Sequence, residues 1–173
     1  MNTLKITKAT LSDIAKLQDI GRKTFSETFA EVNSEENMAK YLEESFATEK
    51  LTSELKNKSS YFYLAEIDEK VIGYLKLNTG EAQTENQDKN ALEIERIYVA
   101  KEFHGKNIGQ ELYAEALKTA KELNASYIWL GVWEKNFRAV SFYTKNGFVQ
   151  FDTHIFRLGD DEQTDFMMKK VLS

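Results

Sequence analysis

The chain has 173 residues, a formal charge of −5, 42% hydrophobic and 29% charged residues. That length suits one domain, residues 1–173, with a real core, and the composition excludes wholesale disorder and a membrane-embedded body. The acidic balance disfavours nucleic acid as a partner and favours a cationic one. The absence of cysteine excludes disulfides, thiolate metal sites and an acyl-cysteine intermediate. Only His104 and His154 are present, with neither a G-x-S-x-G elbow nor an H-E-x-x-H helix, so hydrolase and zinc-enzyme readings lack their parts and no metal is expected. The opening MNTLKITKAT has no apolar signal core and no run approaches the ~20 apolar residues of a span, so the expected address is cytoplasmic, without a membrane partner.

Residues 4–8 read as a short strand. Thr10 with Asp13 gives a capping signal for a helix to about Phe25, with Ile14, Leu17 and Ile20 as its buried stripe. Asn33 with Glu36 marks a second start, leading into Met38, Tyr41, Leu42 and Phe46, with further helix to about Leu55. Tyr61–Ile67 and Val71–Leu77 flank Asp68-Glu69-Lys70 as a hairpin, and Gly80–Asn90 is an acidic loop. Leu92–Val99 is a strand, followed by a turn over Lys101–Gly109 and a helix to about Leu123 with Leu112, Ala116, Leu117 and Ala120 on one face. Tyr127–Trp133 is β-rich, and Asn136 opens a helix through Lys145. Gly147 stands where a left-handed helix end is expected, and strands near Phe148–Leu158 and Phe166–Val171 close the chain. The order predicts an α/β (α+β) protein: a mixed, mostly antiparallel sheet of about seven strands flanked by about four helices.

The stretch LEIERIYVAKEFHGKNIGQELY, residues 92–113, runs a strand through a glycine turn into an amphipathic helix. Free N–H groups and the helix dipole at such a start favour a phosphate, and Gly105, Gly109 and Lys106 allow close approach and add charge. His104-Gly105-Lys106-Asn107-Ile108-Gly109 resembles the acetyl-CoA motif of the GNAT N-acetyltransferase family. His104 replaces the usual Arg or Gln, and Asn107 replaces the central Gly, a residue type that tolerates positive φ. A second stretch, IWLGVWEKNFRAVSFYTKNGF, residues 128–148, resembles the family through Asn136, Ala139, Phe142-Tyr143, Lys145 and Gly147-Phe148. ERIYV, WLGVWEKN and GDDEQTD further resemble the PaiA-type spermidine/spermine acetyltransferases of bacteria.

The resemblance implies a GNAT acyl-CoA N-acyltransferase fold that moves acetyl from acetyl-CoA to a primary amine, here of a polyamine, by direct attack in a ternary complex. It implies cofactor contacts along Ile97-Tyr98-Val99, at His104, Gly105, Lys106, Asn107, Ile108, Gly109 and Gln110, at Asn136 and at Lys145. A backbone N–H near Val99 would polarise the thioester, and Tyr143 would protonate the departing sulfur. Glu93 and Glu95, two apart on one strand, are expected to project from the same face as Ile97 and Val99. Either could take the amine's proton, both could hold a cation, or both could be paired with Arg96 or a nearby Lys. His154 reads as structural, with no obvious partner, and Trp129 and Trp133 as core or cleft wall. Of three acidic groups, Glu27, Glu31, Glu35 and Glu36 together with Asp160, Asp161, Glu162 and Asp165 are expected to border the acceptor cleft, and Glu81, Glu85 and Asp88 to be mostly solvated. The rivals are a protein or peptide amine acetyltransferase and a non-catalytic acetyl-CoA-binding module. A homodimer is compatible with the family.

Overall fold

The structure is a computed structural model, and it describes residues 3–85 and 87–172. Asn86, in the expected acidic loop, lies outside them. Seven strands form one sheet in the order β1-β2-β3-β4-β5-β7-β6. They are β1 Leu4–Lys8, β2 Ser60–Ile67, β3 Lys70–Thr79, β4 Ala91–Val99, β5 Tyr127–Trp133, β6 Val149–Leu158 and β7 Asp161–Val171. All neighbours are antiparallel except β4 and β5. The five α-helices among the described residues are α1 Ile14–Phe29, α2 Glu35–Ser45, α3 Thr48–Lys56, α4 Ile108–Glu122 and α5 Phe137–Lys145.

Local chemistry sets most boundaries. The Thr10 N–H donates to Asp13 Oδ2 at 2.9 Å, and a short 3-10 turn leads into α1, which runs four residues past the expected end and buries Leu17, Ile20, Phe25 and Phe29. The cap of α2 is Ser34 rather than Asn33, its hydroxyl accepting from the Asn37 N–H at 3.1 Å. Asp68 and Glu69 both take positive φ in the β2–β3 turn, as a two-residue hairpin requires. At the end of α5, Gly147 has φ of 92° and the Phe148 N–H donates to the Tyr143 carbonyl at 3.0 Å. The last strand begins at Asp161, five residues before its expected start, because Gly159-Asp160 already makes the hairpin turn that brings β7 back along β6.

The sheet separates two cores. Leu75, Leu77, Ile94, Leu112, Ala116, Leu130 and Tyr143 pack with α4 and α5 on one face. Leu17, Ile20, Phe25, Phe46, Leu64 and Tyr74 pack with α1, α2 and α3 on the other.

Candidate active site

β4 and β5 start as parallel neighbours and then part. Their register runs only from Ala91–Tyr127 to Glu93–Trp129, so the rest of β4 faces a gap where β5 would lie. On its other edge β4 stays paired with β3, but with a bulge: Leu77 opposes Ile94, Lys76 opposes Arg96, and Glu95 is the extra residue. A bulge bends its strand and re-aims side chains, and both effects serve the opening. The Ala100 N–H donates to Ile72 at 2.8 Å and Tyr98 opposes Tyr74, so even-numbered residues supply the ladder here. Alternation turns the backbone N–H groups of Ile97 and Val99 toward the gap. The Val99 carbonyl meets His104 Nε2 at 2.7 Å.

The bulge also overturns the expected facing of the two glutamates. Ile94, Ile97 and Val99 pack toward α4 and α5, whereas Glu93 and Glu95 share the opposite face with Asn78 and Lys76. Asn78 Nδ2 donates to Glu93 Oε1 at 3.0 Å and to Glu95 Oε1 at 2.8 Å. Without the extra residue, strict alternation would have put 93, 95, 97 and 99 together.

The two carboxyls differ in kind. Glu95 is 2.7 Å from Lys76 Nζ and 3.4 Å from Arg96 Nε. Burial opposes its ionisation, yet Lys76, Arg96 and the hydrogen bonds from Lys76 and Asn78 outweigh burial and hold it at about 2. Lys76 is itself buried and also bridges Glu54 at 2.8 Å. Glu93 is 3% exposed and has no cationic partner among the described residues. Burial pushes it up, against hydrogen bonds from Asn78 and from the hydroxyl and backbone N–H of Thr84.

The gap between β4 and β5 opens into a cleft of about 1160 Å³ that passes from the α4–α5 face to the α1 face. At the first end lies the turn into α4. Gly105 has φ of 80° and Asn107 of 67°, and the left-handed Asn107 aims the first N–H groups of α4, which lack intrahelical acceptors, outward. A Cβ on Gly109 would meet nothing nearer than Phe142 at 4.0 Å, so the backbone is open to a ligand. Gln110 is tied to Asn146 at 3.0 Å, and Asn136 caps α5 through the Ala139 N–H at 3.3 Å. Ile97, Tyr98, Val99, His104, Gly105, Asn107, Ile108, Gly109, Gln110, Asn136, Tyr143 and Lys145 all line this cleft. Lys106 does not; its ammonium rests over the Phe103 ring, 5.6 Å from the centroid. Tyr143 is buried between Phe142 and Phe148, burial pushes its phenol up, and no protein group among the described residues hydrogen-bonds it.

The other end of the cleft is aromatic and acidic. Phe29, Trp133, Phe156 and Tyr41 form a ring cluster there, and Glu85, His154 and Asp165 line it too. His154, expected to lack a partner, has Nδ1 2.6 Å from Glu85 Oε1. The acidic groups redistribute accordingly. Asp160 and Asp161 hold Asn37 at the start of α2 at 2.7 and 2.8 Å, Glu31, Glu35 and Glu36 are exposed away from the cleft, and the loop expected to be solvated supplies Glu85. A contact spanning 69 positions, Glu85 to His154, leaves no local signal in the sequence.

The model of the acetyltransferase (GNAT) family matches residues 19–148. The chain belongs to the GNAT acetyltransferase family. An uncharacterised N-acetyltransferase of Lactobacillus delbrueckii subsp. lactis is 44% identical over 172 residues, 99% of each chain. The spermidine N(1)-acetyltransferase of Thermoplasma acidophilum is 29% identical over 97% of each chain. The crystal structure of the PaiA N-acetyltransferase of Thermoplasma acidophilum in complex with coenzyme A superposes with a TM-score of 0.82 at 30% identity, covering 98% of this chain and 99% of that one. The seven-stranded sheet is thus the GNAT fold, and the chain is an acetyl-CoA-dependent N-acetyltransferase.

Proposed function

We propose that this GNAT enzyme acetylates a primary amine of a polyamine such as spermidine or spermine, by direct attack on acetyl-CoA in a ternary complex within one catalytic domain. The observation that carries the reading is the two-ended cleft: helix-start N–H groups at one end suit a pyrophosphate, carboxylates among aromatic rings at the other suit ammonium groups, and a splayed strand lies between. The spermidine N(1)-acetyltransferase relative supports the substrate class.

In this reading the first turn of α4, with Gly105 and Asn107, cradles the phosphates, and Lys145 faces them from α5. The free edge of β4 receives the pantetheine, and the Val99 N–H polarises the thioester carbonyl. Acetyl-CoA supplies the activated acyl group. Glu93, whose carboxyl burial has pushed up, accepts the proton that an amine of pKa near 10 must lose before attack. Tyr143, a phenol kept protonated by burial, donates to the departing sulfur. Glu95 is held ionised by Lys76 and Arg96 and fixes Asn78 against Glu93; it is a positioning residue.

Release of CoA from acetyl-CoA tests the assignment of the acid. Tyr143→Phe keeps the ring packing, so kcat with spermidine should fall ~10²-fold or more with the KM for acetyl-CoA within about twofold. An unchanged kcat would remove Tyr143 from the chemistry.

A further inference from the structure

Along β5, Trp129, Gly131 and Trp133 share one face, and Gly131 is exposed between neighbours that are buried. Nothing in the fold requires a glycine there. Its φ is not in the left-handed region, and an added Cβ would find only Asp165 Oδ2, at an ordinary 3.8 Å. A strand glycine with room for a side chain weakens the strand and leaves space for a ligand to approach the backbone. The result is an open slot between two indoles, walled by Phe29 against Trp133 at 5.6 Å.

Asp165 closes the slot's far side. Its Oδ1 accepts from Gln163 at 3.1 Å, whereas Oδ2 turns to Gly131. No Lys or Arg among the described residues pairs with it. Burial pushes its carboxyl up, opposed by the Gln163 bond and by His154, with Glu134 adding to the rise. A half-buried carboxylate without a Lys or Arg partner, at the end of an aromatic slot, has the two attractions that an alkylammonium combines: opposite charge and ring faces.

We infer that the Gly131 slot, ending at Asp165, holds a second ammonium group of the acceptor, so that Asp165 and Gly131 select diamines and polyamines over monoamines. This rests on the polyamine reading above and adds residues to it. The second ammonium is the unreacting one; it forms an ion pair with Asp165 Oδ2, and no bond is made or broken there.

The chain's two tryptophans both flank the slot, so intrinsic fluorescence reports binding independently of turnover. Titration of the acetyl-CoA-free protein with spermidine should change the emission saturably. Asp165→Asn should weaken that binding roughly tenfold or more and narrow the preference for spermidine over butylamine, which has one ammonium. Gly131→Val should block spermidine while leaving the acetyl-CoA Kd and the melting temperature near wild type. Equal spermidine affinity in Asp165→Asn and wild type overturns the inference even if polyamines are acetylated. Asp165-dependent binding of spermidine without any acetylation upholds the slot and rejects the proposed reaction.

Discussion

Glu93 and Glu95 sit two residues apart on one strand and share an asparagine, yet their surroundings push them in opposite directions. Glu95 lies between Lys76 and Arg96 at about 2; Glu93 is pushed up by burial. For Glu95 the native pKa lies below the ordinary 4.5, so the folded state binds fewer protons than the unfolded one. Its stabilisation is complete above that value and fades as pH falls toward 2. Glu95→Gln should therefore cost about 3 kcal/mol at neutral pH, by leaving buried Lys76 short of a partner. Glu93 has the reverse sign, because its ionised form is disfavoured in the fold. Glu93→Gln should leave the melting temperature unchanged or raised while kcat/KM falls ~10²–10⁴-fold. Thermal melts of the pair measure this directly, and a larger loss of stability in Glu93→Gln would reverse the assignments. Thr84 binds the ionised form of Glu93, so Thr84→Ala should move the acidic limb of the kcat/KM profile to higher pH. A limb that stays in place would mean another group titrates there.

At the scale of elements, the parts that were legible in the sequence are those written in local chemistry. Glycine or asparagine at left-handed positions, the Asn136 cap and the apolar period of α4 mark their elements within a residue or two. Asn107 illustrates the gain: its φ of 67° is the conformation that its place in the glycine motif implied. Asn107→Gly should keep acetyl-CoA affinity near wild type. Asn107→Val should weaken it, because a β-branched residue in that region costs about 1–2 kcal/mol and withdraws the helix-start N–H groups. Calorimetric titration with acetyl-CoA checks both, and equal affinity in the two variants would deny the cradle its role. The bulge at Glu95 was not legible, since no glycine or proline marks it and ALEIERIYV alternates as a regular strand would in its first half. One extra residue opposite Lys76 and Leu77 therefore turned both glutamates to the face opposite Ile97 and Val99.

For the molecule as a whole, the order of elements conveyed the fold, and the two GNAT motifs conveyed one wall of the cleft. The aromatic, acidic wall is assembled from segments far apart in the chain: Phe29 and Tyr41 from the first helices, Glu85 from the loop before β4, His154 and Asp165 from the last hairpin. No spacing in the sequence records such a gathering: runs of charge mark the acidic groups, yet Asp160 and Asp161 hold α2. The cleft is lined from both faces of the sheet, and the proposed reading puts acetyl-CoA at its α4–α5 end and a polyamine at its aromatic, acidic end. The measurement that tests this most directly is mass spectrometry of spermidine incubated with the protein and acetyl-CoA, alongside a lysine peptide and a simple monoamine. Monoacetylated spermidine formed one-for-one with free CoA, with little acetylation of the peptide or monoamine, is the predicted result. Peptide acetylation with unmodified spermidine would contradict the account.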